Sequence, residues 1–529
     1  MKKNILLFQS AMIKKTGKYL ETIRIAFKKK ENILLLLLSM LSIFFIYKLI
    51  LFIIAYDINN DVDEFYFYMS TCLQYYHKTL YLPSNIPPFF TLYYPPVYFI
   101  LNVFFVKLLC IDVNSFNGIM NAYYIGRSIS FLSLLAAAYF FYKMLKINNI
   151  HNKYAVSGAL IFLLFQPHMA ATYRPDALRM LFLILHFYLF VKYILKDKAS
   201  YLVASSIFLL IASLIKQDAV IFFMPSVMFL LIIKRFRHLI MYSLIILLYS
   251  IGGIIIYFKM PVFSDSIANA APEGFSFYLF KYMTFPYLTM IAPMLGFSAY
   301  IFIKRSIKSK QLHLFLFLNY IMSFFILLLL TLRSKGAFHY LLPFESIMLF
   351  TILYYVFKND ILSGAKTKIL TASLLYLAFL IFFKNNTVPV SLSVLTKAPK
   401  NNKESLLKAY KTTTFIISLL NRDGKHYYIS YDRKLMAFSR GKEAAEDGTL
   451  NLKYFYENKY ASHIVPGNDE CERRRKYIVS YIQKGEIPYV VFPSSAKNDL
   501  FVDLMYPHYY LFCHYMGYDI YKYTMSYEL

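Results

Sequence analysis

The chain has 529 residues, 58% hydrophobic and only 16% charged, whereas a water-soluble protein carries about 25% charged residues. Together with a mean hydropathy of +0.48, this excludes a soluble globular protein and marks an integral membrane protein. The formal net charge of +28 would point to nucleic acid in a soluble chain, but in a membrane protein the placement of the charges matters more than their sum.

Residues 1–32 are basic and partly apolar, the pattern of an amphipathic helix on the cytoplasmic surface. The apolar run that follows starts too late and runs too long for a cleavable signal peptide. A spanning helix needs about 20 largely apolar residues, because lipid offers the backbone no hydrogen-bonding partner. Eleven spans are predicted, near 33–55, 126–145, 155–172, 177–195, 200–215, 219–233, 239–257, 283–303, 312–331, 341–357 and 367–384. The first two are separated by a long first outer loop, 56–124. Within it, Pro95-Pro96 to Cys110 is apolar but short, so it is predicted to be a helix lying at the outer interface.

With the N-terminus inside, the inner turns gather Lys143, Lys146, Lys153, Lys196, Lys198, Lys234, Arg235, Arg237, Lys304, Arg305 and Lys358, and the outer loops hold few cations. Cytoplasmic enrichment of Lys and Arg is the rule for multi-span proteins. The positive charge is therefore an orientation signal, and no nucleic-acid partner is expected. Beyond 384 the composition turns polar and mixed. Residues 385–529 are predicted to form a soluble α/β domain, with helices at 405–420 and 469–483, strands at 426–430 and 488–493, and a hairpin near Gly517. An odd number of spans places this domain on the outer, extracytoplasmic side of a plasma (inner) membrane. Cys72, Cys110, Cys471 and Cys513 then all lie outside, so one disulfide within the first loop and one within the domain stand against four buried thiols.

Charged groups at the membrane boundary are costly and so informative. Four clusters fall on the outer side: Asp57 with Asp61, Asp63 and Glu64; Arg174 and Asp176; Lys216 with Asp218; and Arg333, Lys335 and His339-Tyr340, with Glu345 one turn into the next span. Arg127 stands at the outer end of the second span. Taken singly, each cluster reads as loop charges neutralising one another. Four on one face, opposite a face almost purely basic, suit a phosphate-bearing substrate, with cations holding the phosphate and a carboxylate accepting a hydroxyl proton. Tyr93-Tyr94-Pro95-Pro96 would form a rigid aromatic rim. No Walker A loop, dinucleotide fingerprint, HExxH helix or nucleophile elbow competes.

These residues resemble the GT-C glycosyltransferases that use polyprenyl-phosphate sugars, on the side of the protein mannosyltransferases and lipid A aminoarabinose transferases. The matching elements run in order: Asp63-Glu64-Phe65-Tyr66, Tyr94-Pro95-Pro96, Gly126-Arg127-Ser128, Arg174-Pro175-Asp176-Ala177, Lys216-Gln217 and Lys335 to Pro343. The resemblance covers roughly 33–384 and implies a polytopic α-helical, GT-C-like fold. It implies an inverting transfer of a sugar from a polyprenyl-phosphate donor to an acceptor hydroxyl on a lipid or glycan. Asp63 would be the general base, with Asp61 as the alternative. Glu64 would support it or bind substrate, and Asp176 would be the second outer acid. Arg127, Arg174, Lys216, Arg333, Lys335, His339, Tyr340 and Tyr94 would surround the donor phosphate and sugar. A divalent cation at Glu64 and Asp176 stays open. Tyr94 departs from the aminoarabinose-type pattern, which carries a Lys before the proline. A lipid or oligosaccharide flippase and a polysaccharide polymerase or ligase are the rival readings. The first lacks the internal repeats expected of transporters, and the second normally has its main loop late in the chain.

Overall fold

The computed structural model describes residues 33, 35–56, 64–77, 94–165, 172–259, single positions between 292 and 302, 310–333, 342–358, 402–425, 428–430, 432–439, 444–445, 480–494 and 508–524. Its membrane part is a helix bundle: α1 (Leu35–Ile53), α2 (Glu64–His77), α3 (Val97–Leu108), α4 (Phe116–Ile147), α5 (Asn152–Phe165), α6 (Asp176–Lys196), α7 (Ala199–Ile215), a 3-10 turn (Gln217–Phe222), α8 (Phe223–Ile232), α9 (Phe236–Lys259), α10 (Lys310–Arg333) and α11 (Leu342–Lys358). Among the described residues, α1, α4, α6 and the Phe236–Gly253 part of α9 are long and apolar enough to cross a membrane, and the remaining predicted spans that are described are shorter apolar helices. The predicted span 367–384, most of 283–303 and the helix at 3–30 lie outside the described residues.

Local chemistry sets the helix ends. α4 begins at Phe116, not at 126, because Ser115 caps it: its Oγ accepts the Gly118 N–H at 3.1 Å. α6 follows Pro175, carries Asp176 in its first turn and Lys196 in its last, and stops at Asp197 in the left-handed region (φ 50°). Between these ends α6 is the hub of the bundle, packed on α4 and α7. Phe190 stacks on Phe315 at 4.4 Å and meets Phe229 and Tyr242 edge-on, so large rings fill the core. α3 is the predicted short helix; Ile100, Phe104 and Leu108 are exposed along one side of it.

The C-terminal part holds α12 (Lys403–Arg422), α13 (Arg433–Phe438) and a sheet of order β2-β1-β3-β5-β4, built from β1 (Tyr428–Ser430), β2 (Ala444–Ala445), β3 (Tyr489–Pro493), β4 (Tyr509–Tyr515) and β5 (Tyr518–Tyr523). β1 pairs in parallel with β2 and β3; β5 pairs antiparallel with β3 and β4. The hairpin turns at Met516 and Gly517, both at positive φ. This part docks onto the start of the membrane module. The Asn402 N–H donates to Tyr56 O at 3.0 Å, and the Tyr410 hydroxyl donates to Asn114 O at 2.9 Å. Phe116 lies between Tyr410 and Phe438, and α13 packs on α2.

The first-loop disulfide does not form. Cys72 is buried on α2 beside Tyr68, whereas Cys110 is exposed just past α3, and no disulfide joins them. Cys513 is a free thiol, and Cys471 lies outside the described residues.

Candidate functional site

α1 ends, and α2, α4 and α6 begin, at the same end of the bundle, and two buried charge clusters meet there. The first is centred on Glu64, the opening residue of α2. Its two carboxylate oxygens accept Arg127 Nε at 2.9 Å and Nη2 at 2.7 Å, and neither side chain has any exposure. Such a fork-to-fork pair is among the stronger charge-assisted contacts. Glu64 also accepts the Tyr173 backbone N–H at 2.7 Å, and Arg127 Nη1 donates to Phe52 O at 3.3 Å and Ala55 O at 3.2 Å, carbonyls at the C-terminus of α1. One ion pair thus ties together α1, α2, α4 and the turn that leads into α6. Tyr68, Tyr98, Tyr123 and Tyr173 pack around it, with ring centroids 4.5 to 6.3 Å apart. Gly126 is needed here: a Cβ would run into the Tyr173 ring.

The second cluster is centred on Asp176. Lys216 Nζ donates to Oδ1 at 2.8 Å, Arg179 Nη2 lies 3.3 Å from the same oxygen, and Arg174 Nε lies 3.4 Å from Oδ2. Arg179 extends the chain by donating to Asp218. All five side chains are buried, in a setting where unpaired charge is expensive. Burial pushes the Lys216 ammonium below its ordinary range, and the Asp176 carboxylate opposes that shift. The Lys216 ammonium also lies over the Tyr94 ring at 5.6 Å, and Arg174 over Phe67 at 5.7 Å. The two clusters are joined by the chain itself: Tyr173 is held by Glu64, and the next residue, Arg174, has its carbonyl held by the Ser130 hydroxyl at 3.0 Å.

Of the residues singled out by sequence, Glu64, Arg127, Tyr94, Arg174, Asp176 and Lys216 converge at this end. Glu64 and Arg127 close on each other and on backbone groups; the resemblance gave Glu64 as supporting Asp63 or binding substrate, and Arg127 as a candidate around the donor phosphate and sugar. The candidate cation site at Glu64 and Asp176 is not supported by the donor set. Both Glu64 oxygens already accept hydrogen bonds, and Asp176 is faced by three cations, which would repel a divalent ion. Asp63 and Asp61, Lys335, His339 and Tyr340 lie outside the described residues; Arg333 is the last residue of α10.

Two members of the network, Arg179 and Asp218, were not among the predicted site residues. Arg179 was hidden inside a predicted span, one turn past Asp176, yet a guanidinium within an apolar stretch is itself the signal that should have marked it. Asp218 stood beside Lys216 in a recognised cluster.

No protein-family model matches the chain, and no curated protein matches it by sequence. Among solved structures, the chain is similar to the crystal structure of ArnT from Cupriavidus metallidurans in the apo state. The match has a TM-score of 0.56 at 12% sequence identity and covers 91% of this chain and 97% of that one. The buried network at one end of the bundle therefore sits on an ArnT-like membrane fold.

Proposed function

We propose that the protein is an inverting glycosyltransferase that moves a sugar from a polyprenyl-phosphate donor to an acceptor hydroxyl at the membrane face bearing the Asp176 network. The observation that carries this reading is the gathering of Arg174, Arg179 and Lys216 around Asp176, on an ArnT-like fold. Three cations face the Asp176 carboxylate, and Arg179 also pairs with Asp218. Arg174 and Lys216 are the nearest candidates for the donor phosphate, with Arg333, Lys335, His339 and Tyr340 completing its surroundings. Asp63, one residue before the anchored Glu64, accepts the proton of the attacking hydroxyl. The new bond forms at the anomeric carbon as its bond to the phosphate oxygen breaks, with inversion, and polyprenyl phosphate leaves. Glu64 and Arg127 act by positioning: they hold the start of α2 against the turn that carries Arg174. The acceptor is a lipid or glycan hydroxyl, with lipopolysaccharide and a wall polymer both of suitable chemistry.

Transfer from a radiolabelled polyprenyl-phosphate sugar by the purified protein tests this. Asp63→Asn is expected to lower turnover by about 10²–10⁴-fold, the usual contribution of a general base. Full activity in that variant rejects the base assignment. Movement of a lipid across vesicles without any transfer favours the flippase. A second expectation follows from Lys216. Its lowered folded-state pKa means that the ammonium is lost, as pH rises, before an ordinary lysine at about 10.4 would lose it. The alkaline limb of kcat/KM should therefore fall below that pH, and Lys216→Arg should remove the limb, because a guanidinium keeps its proton.

A further inference from the structure

At the other end of the bundle, α4 and α6 repeat the same local pattern. Tyr139 is followed one turn later by Lys143, and Tyr188 one turn later by Lys192. Lys143 lies over the Tyr139 ring at 5.2 Å and the Tyr142 ring at 6.0 Å. Lys192 lies over Tyr188 at 5.5 Å and over Tyr201, at the start of α7, at 4.5 Å. The two helices touch here through Phe140 and Tyr188, with ring centroids 5.9 Å apart. At 1.5 Å per residue, Lys143 lies ~24 Å along α4 from Arg127, and Lys192 ~24 Å along α6 from Asp176. The two ammonium groups are thus at one depth, close to a hydrocarbon thickness away from the site.

A single lysine reaching along a tyrosine at a membrane boundary is ordinary anchoring. The pair on adjacent helices asks for more. Among the described residues neither ammonium meets a carboxylate within ion-pair distance, and the nearby Asp197 is taken by Arg235 at 2.9 Å. Two cations held at one level without a counter-charge repel each other, and a ligand bearing the opposite charge removes that cost. The adjoining surface suits an acyl chain: Tyr139 is 52% exposed, and Leu132, two turns nearer the site on the same helix, is 61% exposed. Basic pockets between spanning helices are suited to anionic headgroups.

We propose that Lys143 and Lys192, framed by Tyr139, Tyr142, Tyr188 and Tyr201, bind the phosphate of an anionic phospholipid at the membrane face opposite the site. The lysines neutralise the phosphate, the tyrosine rings hold the ammonium groups in place, and an acyl chain lies along α4 toward Leu132.

The test titrates the purified full chain, in neutral detergent, with a fluorescently labelled cardiolipin and with labelled phosphatidylcholine as the zwitterionic control. The wild type is expected to prefer cardiolipin. The double variant Lys143→Gln/Lys192→Gln should lose about tenfold in cardiolipin affinity and nothing for phosphatidylcholine, while Lys143→Arg/Lys192→Arg retains the preference. Equal binding of the two lipids by the wild type, or undiminished cardiolipin affinity in the folded glutamine variant, overturns the proposal. If the glutamine variant does not fold, the wild type decides alone: its cardiolipin affinity must fall with ionic strength while that for phosphatidylcholine stays level, and a salt-independent cardiolipin affinity also overturns it.

Discussion

Asp176→Ala is expected to lower the stability of the protein by about 3–5 kcal/mol, the usual consequence of removing one partner from a buried ion pair. The substitution leaves Lys216, Arg174 and Arg179 facing one another without their common carboxylate. Lys216 can escape by losing its proton, which burial already favours, but the two guanidinium groups cannot. Arg179 keeps Asp218, and Arg174 keeps its stacking on Phe67. Most of the loss should therefore come from the arginines, and adding Lys216→Met to Asp176→Ala should recover only a small part. Thermal midpoints in one detergent measure this. An unchanged midpoint for Asp176→Ala would mean that the network does not stabilise this end of the bundle.

Glu64→Ala is expected to cost a similar amount, about 3–5 kcal/mol, because Arg127 would remain fully buried without its carboxylate. The informative comparison is the double variant Glu64→Leu/Arg127→Met. Replacing a buried ion pair by apolar side chains of similar volume is often neutral or stabilising, so the midpoint should return toward that of the wild type. Sugar transfer should not return with it. The apolar pair supplies no acceptor for the Tyr173 N–H and no donor for the Phe52 and Ala55 carbonyls, so the junction of α1, α2 and the turn before α6 loses its fixed geometry. Recovery of both stability and transfer would reduce the ion pair to a filler of space. Recovery of stability alone would separate its positioning role from its contribution to folding.

The parts of the architecture that could be read from sequence are those with a strong local cause. Asp176 and Lys196 bracket an apolar stretch, and α6 runs between them. Gly517 has the freedom that a tight hairpin needs, and the chain turns there. The start of α4 was less visible because Phe116 to Ile125 is mixed in character; hydropathy sees only the part of a helix that faces lipid, and this helix continues beyond it. The site was partly visible for the same reason that it is costly: charged residues at a boundary stand out one by one. Their pairing did not, because Glu64 and Arg127, 63 residues apart, meet only once α2 has folded against α4. A carboxylate that supports its neighbours and one that binds substrate look alike in sequence, because spacing carries no information that separates the two.

The docking of the C-terminal part on α2 and on the start of α4 has a bearing on biogenesis. Contacts such as Tyr410 with Asn114, 296 positions apart, cannot form until Tyr410 has left the ribosome, whereas neighbouring hydrophobic segments can settle in the bilayer as they emerge. The spans can therefore mature early and the contacts of the C-terminal part late. A nascent chain interrupted before Asn402 would keep its membrane anchorage and yet lack the C-terminal helix that packs on α2.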